Sequence, residues 1–233
     1  NTATQIQIMA ALGHDHPAFA HHSLLTGPQG EALSKRLGTL SLRDLRAAGV
    51  EPMALLSLLA RIGSSQPVVL AGSIDELAEG FDLTHFSSAP TKFDEEDLYP
   101  LTARVLQETP FDAMAGEIAA LGVPEALAPT FWEVARANVT TRADLPGWWA
   151  LFRDGAAPLV AEEDRDFIAQ AFAMLPEPPY DGETWGNWTS AVKEATGRKG
   201  KALFMPLRKA VTGLERGPEM ADVMRLLQKK PKL

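Results

Sequence analysis

The stretch Gly27 to Gly38, GPQGEALSKRLG, places a Ser beside two adjacent cations, among glycines and without apolar periodicity. Residues of these types make a cationic loop that can bring Lys35 against a polyphosphate, with Ser34 and backbone amides as further donors. Neither the Walker-type spacing nor the Rossmann fingerprint is present, and an ordinary exposed turn accounts for the bare pattern equally well. His14, His16, His21 and His22 invite a zinc reading, because imidazoles suit tetrahedral sites. Their spacing opposes it: His14 and His16 flank Asp15 between Gly13 and Pro17, as in a turn, and no His-Glu-x-x-His follows. They read as loop histidines, and no protein-bound metal is expected. The acidic clusters Glu95–Asp97 and Glu162–Asp166 resemble paired catalytic carboxylates, yet each falls in a first helical turn, where negative charge complements the helix dipole. Five tryptophans (Trp132, Trp148, Trp149, Trp185, Trp188) offer stacking faces for bases. Their spacing among apolar residues favours core packing.

The remaining chemistry is in the charge distribution. The net charge of −8 hides an asymmetry: residues 193–233 carry 11 Lys and Arg against 4 Asp and Glu, a balance of +7, and the rest carries −15. An acidic body repels nucleic acid, whereas the C-terminal stretch attracts phosphates locally; a solvated helical face with a frayed basic tail is the plain alternative. Cys is absent, which excludes disulfides, thiolate metal sites, cysteine nucleophiles and iron–sulfur clusters. No run of 18 or more apolar residues occurs, and the first residues lack the basic region and cleavage site of a signal peptide, so the cytoplasm is the expected compartment. With 233 residues, 45% of them apolar, the chain is long enough for one or two folded domains. It starts at Asn1 rather than Met, which reads as a piece of a longer protein.

The elements that must position these groups are mostly helical. Ser73 with Glu76 forms a capping-box pattern opening a helix that ends near Gly80, and Thr109, Pro110 and Asp112 open one that stops at Gly122. Pro52 and the run MALLSLLARI read as a buried helix closing on Gly63, and residues 94–107 carry an apolar stripe. Further helices fit 130–137, 143–152, 161–175, 184–195 and 218–229, with a cap at Ser41 after the cationic loop. Only 67–70 reads as extended. Residues 175–180 (LPEPPY) form the clearest joint.

Several separated motifs carry a family resemblance. LSKR matches the core of the Lys-Met-Ser-Lys-Ser type signature, and the segments FDLTHFSSAPTKFD, FWEVARANV with GWW, and GRKGKALFMPLRKAVTG followed by GPEM continue in order along the chain. Together they resemble bacterial glutamyl-tRNA synthetases, class I, over essentially all 233 residues. Two departures stand out. Ala32 replaces the Lys usual at the first signature position, and the family's His-Ile-Gly-His type motif, which belongs to the first half of the catalytic domain, is missing.

The resemblance implies a mainly α fold: a helical connecting region plus a helical anticodon-binding region, preceded by the end of a class I Rossmann-type catalytic domain. The implied division is 1–42 for the catalytic remnant with its signature loop, 43–95 for the connecting (stem-contact) region, and 96–233 for the anticodon-binding region, with a subdivision near 176–183. It further implies a ligase that activates glutamate with ATP and Mg2+ and transfers it to tRNA, as a monomer in the cytoplasm. Lys35 is then the catalytic cation, with Ser34 and Arg36 as neighbours in ATP binding, and Arg198, Lys199, Lys201, Arg208 and Lys209 are RNA-contact candidates. This piece alone is expected to be inactive. Two other classes stay open: a noncatalytic RNA-binding or adaptor module, and a structural helical protein.

Overall fold

The computed structural model describes residues 1–33 and 41–233. Helix dominates, as the punctuation predicts, and the chain divides into two compact units, Asn1–Asp44 with Pro52–Leu98, and Leu45–Glu51 with Tyr99–Leu233.

The first unit opens with α1 (Thr2–Ala11), a helix with no buried residue among those described. Its mixed polar and apolar order has no clear stripe, so sequence periodicity does not reveal it. Strand β1 (Leu25–Thr26) pairs in parallel with β2 (Thr91–Lys92), and the buried hydroxyls of Ser23 and Thr91 meet at 2.8 Å beside them. Gly63, at φ +78°, closes on this junction so tightly that a Cβ would lie 2.4 Å from Thr91 Oγ1. The expected extended stretch 67–70 has no strand partner among the described residues; Ser57 Oγ instead accepts a hydrogen bond from the Ala71 amide at 3.1 Å. Helix α2 (Leu42–Ala47) follows the Ser41 cap, beginning in the first unit and ending in the second. Helix α3 (Pro52–Leu59) ends short of Gly63, the remainder passing into turns, and Leu56 and Leu59 stay 37% and 36% exposed, so the run is amphipathic rather than wholly buried. Helix α4 (Ile74–Glu79) starts where the capping box predicts: Glu76 N–H donates to Ser73 Oγ at 3.2 Å, and Gly72 N–H donates to the Glu76 carboxylate at 2.8 Å.

The second unit contains α5 (Leu98–Glu108), α6 (Phe111–Ala120), α7 (Ala128–Arg136), α8 (Leu145–Asp154), α9 (Arg165–Ala173), α10 (Thr184–Thr196), α11 (Lys201–Thr212) and α12 (Met220–Leu226). One continuous apolar core runs through them from Leu106 to Leu227. At its centre the Phe131 ring meets Trp149 and Phe152 edge-to-face at 5.7 and 6.1 Å, and Phe172 meets Trp188 at 5.7 Å. These are the geometries that the ring quadrupole favours. Two boundaries differ from expectation. Thr109 does not cap α6; its hydroxyl donates back to Val105 O at 2.8 Å and completes α5. Helix α11 is absent from the helices expected above and contains Pro206; Ala202 O, which would have accepted the missing N–H, faces the Arg198 guanidinium at 3.4 Å. The Pro-rich residues 175–180 do separate α9 from α10, with Leu175 and Tyr180 buried. Among the described residues, no helix is long and apolar enough to cross a membrane.

Candidate nucleic-acid interface

Ser34, Lys35 and Arg36 lie outside the described residues. Their anchors do not. Upstream, β1 runs into a turn in which Gly27 N–H donates to Glu31 O at 2.8 Å, Gln29 N–H donates to the Glu31 carboxylate at 3.0 Å, and Thr26 bridges Ala32 antiparallel. Downstream, Ser41 and Asp44 cap α2 reciprocally: Asp44 N–H donates to Ser41 Oγ at 3.1 Å, and the Ser41 hydroxyl donates to Asp44 at 2.7 Å. These bonds to Ser41 hold the Asp44 carboxyl below its ordinary range.

The other motifs take structural roles. His14, His16, His21 and His22 are all exposed, and His16 and His22 each use Nδ1 on a neighbouring carbonyl, at 3.0 and 2.8 Å. Among the described residues, no group of three or more His, Asp or Glu is placed to hold a metal ion. Glu95–Asp97 and Glu162–Asp164 form single 3-10 turns leading into α5 and α9, as first-turn acids should. Trp132, Trp149 and Trp188 are buried and Trp148 and Trp185 pack against the core, so packing is their principal role.

The five basic candidates fall into different environments. Arg198 follows α10; its Nη1 donates to Asp164 Oδ1 at 2.5 Å while the guanidinium lies 4.0 Å from the Phe167 ring centroid. Lys209 pairs with Glu215 at 2.6 Å, which lowers the Glu215 carboxyl below its usual range. Arg198, Lys201 and Lys209 line a groove of about 770 Å³ whose walls also carry Glu163, Asp164 and Glu215. Its charges balance, so it is no phosphate cradle as it stands. Lys199 and Lys201 are exposed and make no hydrogen bond or ion pair among the described residues. Arg208 stands outside the groove: its Nη1 is buried with no acceptor among the described residues, and a Cβ on Gly217 would lie 3.8 Å from it and 3.7 Å from the Trp148 ring. A buried guanidinium donor without a partner is costly, and its burial keeps that nitrogen from solvent. The basic tail is not frayed. Gln228 N–H donates to Phe152 O at 2.9 Å, Lys229 pairs with Asp154 at 3.1 Å and Lys230 with Glu177 at 2.9 Å. Arg142 is the residue that the sequence motifs do not single out; the Thr141-x-x-Asp144 capping box around it is the available signal.

Comparison with known proteins is decisive. Residues 1–100 match the family of tRNA synthetases class I (E and Q), catalytic domain, and residues 133–231 match an anticodon binding domain. Over all 233 residues the chain is 79% identical to glutamate-tRNA ligase 2 of Dinoroseobacter shibae, of which it covers 53%. This chain matches the C-terminal half of bacterial glutamate-tRNA ligases. The chain is also 79% identical over its whole length to glutamate-tRNA ligase 2 of a Jannaschia species, and 70% identical over 98% of its length to glutamate-tRNA ligase 1 of Ruegeria pomeroyi, covering 52% of each. It therefore spans about half the length of the curated relatives it matches, corresponding to their C-terminal half. The fold is that of the glutamate-tRNA synthetase from Elizabethkingia anophelis, with a TM-score of 0.71 at 23% identity over 97% of this chain and 51% of that one.

Proposed function

We propose that this chain is the part of a glutamate-tRNA ligase that supplies the signature loop and the anticodon-binding region. The observation carrying this reading is 79% identity, over every residue of the chain, to glutamate-tRNA ligases. In the proposed reaction the glutamate α-carboxylate attacks the α-phosphorus of ATP. A new oxygen–phosphorus bond forms, the bridging bond to the β-phosphate breaks, and its electron pair leaves on pyrophosphate. Charge grows on the departing oxygens, so a cation placed there stabilises the transition state more than the ground state. Lys35 takes that role, with Ser34 and Arg36 as neighbours on the ATP. Mg2+ arrives on the nucleotide's phosphates, as is usual for a cation that keeps several waters. The glutamyl group then passes to a hydroxyl of the tRNA's terminal adenosine, and AMP leaves.

The proposed division remains 1–42 for the catalytic remnant, 43–95 for the connecting region and 96–233 for the anticodon-binding region, subdivided near 176–183. Within the last region, Lys199, Lys201 and Arg208 make the principal RNA contacts. Arg198 and Lys209 contribute less, because each must first exchange a carboxylate partner for a phosphate. The exposure of Lys199 and Lys201 supports this ranking. The enzyme works as a cytoplasmic monomer. The test is aminoacylation by the full-length ligase carrying this chain: glutamate, and not other amino acids, becomes attached to tRNA in an ATP-dependent manner. The 233-residue chain alone gives no glutamate-dependent exchange of pyrophosphate into ATP. Exchange well above a protein-free blank from that chain, or tRNA charging indifferent to glutamate, overturns the reading.

A further inference from the structure

Residues Leu45–Glu51 lie in sequence between two stretches of the first unit, yet they belong to the second. Leu45 and Val50 are buried. Gly49 turns the chain at φ +78°, and a Cβ on it would stand 3.2 Å from the backbone nitrogens of Arg142 and Ala143, so the turn is pressed flat against that peptide. Glu51 is 6% exposed and holds a two-pronged contact with Arg142: Nε donates to Oε1, and Nη2 donates to Oε2 at 3.2 Å. The third nitrogen of the same guanidinium, Nη1, donates to Glu117 on α6 at 2.9 Å, and the Glu51 amide donates to Thr102 Oγ1 on α5 at 3.3 Å. Arg142 is fixed in turn by the capping box around it, where the Thr141 amide donates to Asp144 at 2.9 Å.

A carboxylate this deeply buried is costly unless paired, and stability alone would be served as well by an apolar pair of similar volume. What the planar fork adds is direction, since both carboxylate oxygens must meet both nitrogens in one orientation. We propose that Arg142 is a positioning residue for the ligase reaction: by gripping Glu51 it fixes the segment covalently joined at Asp44 and Pro52 to the unit that leads into the signature loop. This rests on the function proposed above. Release of the fork leaves the tRNA-binding unit folded and the tRNA bound as before. The segment then loses its single register, and charging slows.

The experiment compares full-length ligase with its Arg142→Met, Arg142→Lys, Glu51→Gln and Glu117→Gln variants in tRNA charging. Arg142→Met should lower kcat about tenfold while KM for tRNA stays within about twofold, the size expected for a coupling residue remote from the chemistry. Arg142→Lys, which keeps one ion pair and loses the fork, should fall between. Glu51→Gln should show a smaller loss with the same split, and Glu117→Gln, which leaves the Glu51 fork in place, should match wild type. In the 233-residue chain, amides of residues 46–51 should exchange hydrogen faster in Arg142→Met while those of α7 and α11 do not change. Unchanged kcat overturns the proposal. So does faster exchange throughout the second unit with kcat and KM worsening together, the signature of a merely structural residue. Should Arg142→Met fail to fold, Arg142→Lys and Glu51→Gln carry the same comparison. Failure of the wild-type ligase to charge tRNA with glutamate overturns the function reading instead, and is seen before any variant is made.

Discussion

Replacing Arg198 with Met separates the two roles open to the basic stretch. The Arg198–Asp164 pair at 2.5 Å is 30% and 20% exposed on its two side chains, so neither full solvent screening nor full burial applies. A charge-assisted hydrogen bond in that setting contributes about 1–2 kcal/mol. The contact with the Phe167 ring, 4.0 Å from guanidinium carbon to centroid, adds about 0.5–1 kcal/mol. The Met thioether keeps part of the packing on that ring. The net loss is about 2 kcal/mol, which at about 2–4 °C per kcal/mol for a chain of this size lowers the melting midpoint by about 4–8 °C. Far-ultraviolet circular dichroism on the 233-residue chain measures the midpoint, and filter binding measures tRNA affinity in parallel. Affinity should change little. An unchanged midpoint together with a loss of about tenfold in affinity would refute the reasoning, because the guanidinium would then spend its charge on RNA rather than on Asp164.

Tyr180 is one of two tyrosines, and burial, with the Glu177 charge second, pushes its phenol up to about 12. A folded-state value above the ordinary 10 means that the folded chain retains a proton the unfolded chain releases, so this contribution is complete below about pH 10 and is lost as pH rises toward 12. Ultraviolet titration should show a phenolate component rising toward pH 12 that Tyr180→Phe removes; the absence of any component that Tyr180→Phe removes in that range would contradict it. Gly63→Ala should destabilise the first unit by about 2–3 kcal/mol, since φ is +78° and Thr91 Oγ1 lies 2.4 Å from the added carbon; a denaturant midpoint equal to wild type would show that the junction is looser than described. For tRNA binding, log affinity should fall against log salt with a slope of about −2 to −4.5, for three to five neutralised phosphates. Replacing Lys199 and Lys201 together with Ala should flatten that slope by about 1.5, whereas replacing Lys229 and Lys230, already paired with Asp154 and Glu177, should change it less; the reverse order would move the RNA site to the tail.

What the sequence discloses about this fold follows the range of the interaction. The α4 cap between Ser73 and Glu76 is a three-residue affair and is legible directly. First-turn acids at Glu95 and Glu162 announce their helices for the same reason. By contrast, β1 and β2 are two residues each, too short for alternation to register, and their pairing joins Leu25 to Thr91. The tail reads as frayed because its partners, Asp154 for Lys229 and Glu177 for Lys230, are 75 and 53 residues away. Helix α11 contains Pro206, for which a local rule predicts a break, and burial of Leu203, Leu207, Ala210 and Val211 in the core overrides that rule. The candidate site divides along the same line. The types and order of Ser34, Lys35 and Arg36 are visible in a string of letters, whereas the Glu51–Arg142 fork spans 91 positions and has no local trace.

In the proposed function, Lys35 provides the charge that glutamate activation needs. The decisive assay is glutamate-dependent exchange of pyrophosphate into ATP on the full-length ligase with and without Lys35→Ala. The expected loss is about a hundredfold to a thousandfold, or about 3–4 kcal/mol, the size of losing one preorganised donor. Affinity for tRNA should be unaltered. Exchange at the wild-type rate, or an equal loss in tRNA binding, would contradict it.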